Sequence, residues 1–598
     1  MKGLISSMVA VAVAFGAQGP ERALDVSAIR YTVTFNAETA QRNELHVEMS
    51  FRSEGSGPVV LSLPAWTPGS YELDNFARYV REFEASAGGT PIRWEKTDFD
   101  TWQVFPSRGD VVTVAFDYRA TEADVGMSWS TDDFAFFNGT NVFLYPEGQG
   151  YDFPARVTVL TEADWRVATG MGPGGEPGQY ASGNYHDLVD MPFVVGRFDL
   201  DSARVEGLWY RLATYPEGAL AGEARETAWE HIQAIMPPMS AVFGDTPWDN
   251  YTIIAVFDED YPGASALEHG NSHLGFYTPG IIGSPTLSSI AAHEIFHAWN
   301  VKRLRPEEMW PYRYDRQQPT TLLWVSEGIT DYYADLALVR GGVFSAKEFF
   351  SVTVDKISEV SEARPVSLED ASLSTWIQPA DGTAYIYYPK GSLAGLMLDI
   401  LIRDATDNRA SLDDVMRDLY TVEYGKGSGF SEQEWWAVVS RVAAGRDFEE
   451  FQARYIDGRE PYPWDEVLPL AGVRYVEEEM MRPRLGLMLS QDSQGVSVSG
   501  VVPGGSAADA GVEEGDVLVR AGEIPVDGPD WADRFRARYD ADPEGSPVEY
   551  VVLRGGSEVT LPGQLRFTAQ VQNRIDPIPD ASQKAARIRN GILTGTTD

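Results

Sequence analysis

The run Ala-Ala-His-Glu-Ile-Phe-His-Ala-Trp, residues 291–299, constrains the fold more than any other stretch of this 598-residue chain. His293 and His297 stand four apart, about one helical turn, so on a helix both imidazoles leave the same face. Two imidazoles so placed can grip one Zn2+, and Glu294 beside them can take a proton from a water that the metal activates. Ile295 and Phe296 complete an apolar face, so this helix belongs inside a packed lobe. A catalytic zinc takes three protein ligands and keeps one position open. The third is expected in Leu-Leu-Trp-Val-Ser-Glu-Gly-Ile-Thr-Asp-Tyr-Tyr-Ala-Asp-Leu, residues 322–336, where Glu327 lies in a second helical pattern. Asp331, four residues on, faces the same way and can accept a hydrogen bond from the free ring nitrogen of a ligand histidine. Trp324, Tyr332 and Tyr333 imply that this helix is largely buried, where a carboxylate without a partner is costly.

Bulk properties narrow the class. The chain is too long for one core. Its 43% hydrophobic content, with 16 Trp, 27 Tyr and 27 Phe, excludes disorder over most of the length. Against 48 basic residues stand 89 acidic ones, a formal charge of −41, which repels nucleic acid and anionic membranes. Neither nucleic acid binding nor a membrane span is expected. The opening Met-Lys-Gly-Leu-Ile-Ser-Ser-Met-Val-Ala-Val-Ala-Val-Ala-Phe-Gly-Ala has the basic start and short apolar run of a secretory signal peptide, cut between Ala14 and Ala17. It is too short to span a bilayer. No cysteine occurs, so disulfides and a lipid-modified cysteine are excluded, which suits an exported, periplasmic or secreted bacterial protein.

Organisation follows from periodicity. Between about residues 27 and 200, short alternating runs such as Arg-Tyr-Thr-Val-Thr-Phe and Val-Val-Thr-Val-Ala-Phe are separated by turn residues and read as antiparallel strands. Helical patterns dominate from Ser288 to about Ala471. The expected fold is multidomain α+β. A signal peptide takes residues 1–17, a β-sandwich-like domain 18–200, a mostly helical catalytic lobe 201–478, a third domain 479–570 and a helical or disordered tail 571–598.

With His293, Glu294, His297 and the later Glu327-Gly328 pair, the chain resembles the gluzincin metallopeptidases, whose catalytic lobe is thermolysin-like. Three further stretches, residues 63–80, 266–277 and 387–399, resemble the glycyl aminopeptidase family, which joins a β-rich N-terminal domain, a gluzincin lobe and a PDZ domain. That resemblance implies one zinc per chain and removal of small first residues, glycine or alanine, from peptides with a free N-terminus. It implies that Glu268, 25 residues before His293, binds the substrate's α-amino group. It also implies that a tyrosine of Tyr388-Pro389-Lys390-Gly391 steadies the charge on the scissile carbonyl; Tyr388 is favoured, with Tyr387 and Tyr385 as rivals. Ala264-Ser265-Ala266 stands where the family pattern has two glycines. His269 and His273 imitate ligands, but no glutamate lies between them and Gly270 argues against a helix. The 29 residues between His297 and Glu327 exceed the usual gluzincin spacing, and the extra text, roughly residues 305–321 from Arg305 to Thr321, reads as a surface insertion. The segment from Arg482 to Val526 resembles a bacterial PDZ domain, a strand-adding binder of peptide ends. Two alternatives stay open: a zinc endopeptidase, and an exported PDZ-containing binding protein with an inactive zinc lobe.

Overall fold

The computed structural model describes residues 26–492, 495–528 and 530–597, so the expected leader lies outside the described residues. The chain forms two compact units, one running to Gly472 and resuming at Asp580, the other spanning Val473–Pro579.

The first unit begins β-rich. An eight-stranded sheet and two four-stranded sheets share one core that includes Tyr31, Val47, Trp66, Trp102, Phe116, Phe137 and Phe193. The strand Glu44–Ser53 alternates between buried and less buried positions, as a strand with one face in a core must. Next comes a five-stranded mixed sheet in the order Asp199–Val205, Leu208–Tyr215, Asn250–Phe257, Ser272–Tyr277, Ala264–Glu268. One of its two parallel pairs, Leu208–Tyr215 with Asn250–Phe257, is joined across the helix Glu223–Phe243, because parallel neighbours need a long crossover. Asn250–Phe257 is buried at every position after Asn250, consistent with cover on both faces. Ile254, Val256, Leu274 and Phe276 pack against Phe134, Phe136 and Val194 of the β-rich part.

Helices follow. Pro285–His297, Ile329–Arg340, Ala346–Glu362 and Tyr387–Thr406 pack on one another in a lobe. Among the described residues no helix is long and apolar enough to cross a membrane.

The text between His297 and Glu327 is no surface insertion. Tyr312 and Tyr314 are buried in the β-rich core. The Trp66 indole N–H donates to the Arg313 carbonyl at 2.8 Å, and the Ala65 amide donates to Tyr314 at 2.7 Å. Its charged residues point outward while alternate aromatics enter the core, so the segment ties the helical lobe to the β-rich part.

In the second unit two twelve-residue strands, Val473–Arg484 and Arg566–Pro577, pair antiparallel over their whole length. Beyond them, strands Leu487–Asp492, Gly495–Val501, Val517–Ala521, Pro547–Arg554 and Ser557–Gln564 form a sheet in that order. Its core holds Val498, Leu518, Trp531, Phe535, Tyr550 and Val552. This unit is wider at both ends than 479–570, because the ribbon belongs to it. The stretch expected as a tail divides: residues 571–577 complete the ribbon, and Gln583–Thr594 is a helix that buries Ile588 and Ile592 in the first unit.

Candidate metal centre

Pro285 opens the helix carrying His293 and His297; proline suits a first turn, where no N–H partner is needed. At the helix end the His297 Nδ1 donates to the Asn300 carbonyl at 2.6 Å, which leaves Nε2 as a bare acceptor. The Asn300 amide group donates to the Val325 carbonyl at 2.9 Å and to Thr330 Oγ1 at 3.0 Å, fastening this helix to the segment that carries Glu327. There the chain makes one wide π turn, Trp324–Gly328, before the regular helix Ile329–Arg340. Such turns recur at functional sites because they re-aim side chains.

Glycine explains the next contact. A Cβ on Gly328 would lie 2.5 Å from the Gly391 Cα, and one on Gly391 would lie 2.9 Å from the Trp324 carbonyl oxygen. Two glycines thus let the Tyr387–Thr406 helix approach the π turn closely. That approach brings the Tyr388 ring to 5.8 Å from the His293 ring. Tyr387 instead shares a hydrogen bond with Thr375 at 3.0 Å, and Tyr385 is exposed.

Three donors converge. His293 Nε2 and His297 Nε2 are 2.9 Å apart, and Glu327 Oε2 is 3.1 Å from His297 Nε2 and 3.5 Å from His293 Nε2. Burial alone would lower the His297 pKa, but the Glu327 charge overrides it and pushes it up to about 9. Burial would likewise raise Glu327, yet the two imidazoles hold its carboxyl far below the usual range. The pocket therefore favours positive charge where the lone pairs meet, and two imidazoles with a carboxylate are an ordinary zinc donor set with an open position. Among the described residues, Glu369, Glu432 and Asp457 also cluster within metal-binding distance, partly exposed, and all-carboxylate groups of that kind are common without an ion.

Glu294 is buried, its Oε2 has no hydrogen-bond partner among the described residues, and burial pushes its pKa up to about 8. Asp331 Oδ1 lies 3.8 Å from His293 Nδ1, an ion-pair distance beyond a hydrogen bond. Lys356 Nζ contacts Asp331 Oδ2 at 2.6 Å and Asp335 Oδ2 at 2.5 Å.

Glu268 ends the edge strand Ala264–Glu268, opposite His273, and is buried near enough to Glu294 and Tyr388 for its charge to act on both. Lys302 Nζ lies 3.6 Å from Glu268 Oε1 and 2.9 Å from Asp190 Oδ1. His273 faces the Tyr251 hydroxyl at 3.2 Å, and burial lowers its pKa to about 3; His269 lies 3.6 Å from Asp190. Neither histidine belongs to a metal-binding group among the described residues.

Sequence reasoning missed four participants. Lys302, Lys356 and Asp190 belong to no motif, and Tyr71 lies within residues 63–80 without a periodic pattern of its own. For Tyr71 the signal was the Pro-Gly-Ser-Tyr run, which resists both helix and strand.

Comparison with known proteins places this geometry. Residues 30–197 match the Peptidase M61 N-terminal domain, and residues 286–394, which hold both histidines, Glu294, Glu327 and Tyr388, match the M61 glycyl aminopeptidase domain. An aminopeptidase N family protein from Idiomarina loihiensis has a similar fold, with TM-score 0.74 and 23% identity over 95% of this chain and 100% of that one. An M1 zinc metallopeptidase from Deinococcus radiodurans aligns at TM-score 0.47 and 16% identity over 74% of this chain and 96% of that one. No curated protein matches the chain. Two domain matches, one over the β-rich part and one over the converging donors, show that this chain carries the two domains of the M61 glycyl aminopeptidase family and is a peptidase.

Proposed function

We propose that the protein is a single-zinc aminopeptidase that removes small N-terminal residues, glycine or alanine, from peptides. The observation that carries this reading is a buried carboxylate, Glu268, beside a two-histidine, one-glutamate cluster in which His297 and Glu327 are buried and His293 is half-buried. His293, His297 and Glu327 would hold the zinc, which when bound supplies Lewis acidity to the scissile carbonyl and to water. Glu268 pairs with the substrate's α-ammonium, and so rejects chains whose N-terminus lies elsewhere or is blocked. Glu294 Oε2 takes a proton from the attacking water and returns it to the leaving amine. The Tyr388 hydroxyl donates to the carbonyl oxygen as negative charge grows there. Asp331, itself held by Lys356, faces His293 Nδ1 at ion-pair distance.

Hydrolysis of aminoacyl p-nitroanilides, free and N-blocked, with and without chelator, tests the reading. Chelator-sensitive release from free glycyl and alanyl substrates alone is expected, with Glu268→Ala losing the preference for a free amine. Equal cleavage of blocked peptides by wild type would make it an endopeptidase. Wild-type zinc content well away from one per chain would refute the stoichiometry.

The second unit supports a PDZ-like reading. Strand Leu487–Asp492 ends its sheet, an edge onto which a peptide can add, and Leu485-Gly486 precedes it with Gly486 at φ 74°. Peptides with free or amidated C-termini, titrated into the whole protein, test that: equal binding of both, or of neither, rejects carboxylate capture. The leader-like start supports export to the periplasm or exterior, to be checked by the N-terminus of protein recovered outside the cytoplasm.

A further inference from the structure

The β-rich part of the chain enters the metal centre. Between the strand Val59–Ser62 and the short helix Phe76–Tyr79, the chain runs through Ala65-Trp66-Thr67-Pro68-Gly69-Ser70-Tyr71. Tyr71 is buried, and its hydroxyl donates to Glu327 Oε1 at 2.5 Å across 256 residues of sequence. The other oxygen of that carboxylate, Oε2, is the one near both imidazoles. We propose that Tyr71 is a positioning residue for the metal: by engaging Oε1 it turns Glu327 so that Oε2 faces the histidines, which makes the β-rich part a determinant of zinc retention. This rests on the zinc reading of His293, His297 and Glu327.

The backbone supports a dedicated role. Tyr71 has φ 51°, a left-handed conformation that a side-chain-bearing residue keeps only when its surroundings enforce it. Those surroundings are specific. The insertion holds the start of the loop through the Ala65 amide to Tyr314 and the Trp66 indole to Arg313. The Thr67 hydroxyl shares a hydrogen bond with Thr140 at 2.7 Å. The Pro68 carbonyl accepts from Lys302 Nζ at 3.2 Å, and the Tyr71 ring meets Trp376 edge-on at 6.1 Å. The loop is therefore anchored from both the β-rich part and the helical lobe. A hydrogen bond to a buried carboxylate ligand narrows its orientation before the metal arrives, and removing such a partner weakens metal affinity by about 10–100-fold.

The experiment is a zinc competition titration. Zinc-loaded full chain is titrated with a chromophoric chelator as wild type, Tyr71→Phe and Glu327→Gln, and the metal-free forms are melted in parallel. Tyr71→Phe keeps the ring and removes only the hydroxyl. Expected are zinc retention weakened about 10–100-fold, a metal-free melting temperature within a few degrees of wild type, and a larger loss of zinc in Glu327→Gln. Wild-type retention in Tyr71→Phe beside clear loss in Glu327→Gln overturns the proposal and leaves the zinc reading standing. Wild type without zinc, or Glu327→Gln retaining it like wild type, overturns the zinc reading and the proposal with it. Slower turnover at unchanged zinc affinity also overturns it, since the hydroxyl would then act on the reacting atoms. So does a large drop in metal-free melting temperature, which would place its role in the fold.

Discussion

Two lysines, Lys302 buried and Lys356 half-buried, stand behind opposite ends of the site, and they are built differently. Lys302 lies behind Glu268, with Asp190 at 2.9 Å and the Pro68 carbonyl 234 residues away in sequence. Lys356 lies behind His293, with Asp331 and Asp335 on one helix and Ser392 at 2.9 Å on the next. Both are tightly held: burial opposes each positive charge, yet Asp190 and Glu268 raise Lys302, and Asp331 and Asp335 raise Lys356. Their acids behave differently. Burial works against ionised Asp190, but Lys302 and His269 hold it well below the usual range. At Asp335 burial wins over Lys356, and the pKa rises to about 6. The amine end of the site thus depends on Asp190 held ionised by Lys302, two residues drawn from distant segments. The metal end rests on a local helical cluster with one carboxyl that can take up a proton.

The largest effect expected is at Lys302. Lys302→Met leaves Asp190 and Glu268 without their cation, at a cost of roughly 3–5 kcal/mol in denaturant unfolding. A loss below about 1 kcal/mol would mean that Lys302 is not the keystone of the amine end. Lys356→Met should cost less, about 2 kcal/mol, because Asp335 can protonate and spare the interior a bare charge. Equal losses at the two lysines would erase the contrast. Gly69→Ala comes next. Gly69 has φ 113°, and an added Cβ would lie 2.6 Å from Glu268 Oε2, so about 1–3 kcal/mol of stability should go through strain and collision. Preference for free over blocked substrates should fall while zinc content stays at the wild-type level; unchanged preference would separate Glu268 from amine binding.

The smallest effect is a pH slope. A carboxyl whose folded pKa lies above its unfolded value contributes stability at low pH and loses it as pH rises through the folded value. Asp335 therefore destabilises the protein progressively as pH climbs through about 6. Asp335→Asn should flatten the stability profile between about pH 4 and 6 by about 1 kcal/mol per pH unit. A slope identical to wild type there would show that Asp335 is ionised throughout.

The same contrast governs what could be read from sequence. His293, Glu294, His297, Glu327 and Asp331 lie in two continuous segments whose spacing of four is itself the signal. Lys302 follows within five residues of His297, yet nothing local reveals Asp190, 112 residues earlier. The insertion reads as a surface feature from its length alone, although Trp310, Tyr312 and Tyr314 recur at every second position as strand-like packing would have them. The ribbon Val473–Arg484 was missed because Glu477, Glu478 and Glu479 are all exposed. A two-stranded arm with little core behind it shows no apolar alternation.

The return of the chain to its first unit has a consequence for synthesis and for surgery on the gene. Buried Arg403 donates to the Thr596 carbonyl at 2.9 Å, and Arg340 donates to Ile592 at 3.1 Å. Two arginines of the helical lobe thus wait for partners translated 193 and 252 residues later, so the lobe cannot finish closing before the second unit has emerged from the ribosome. A Cβ on Gly472 would lie 3.0 Å from that of Ala581, so the second unit loops out between adjacent points. Cutting the chain at Gly472 would remove the lobe's own closing helix, whereas splicing Gly472 to Ala581 through a short linker excises the module and leaves that helix in place.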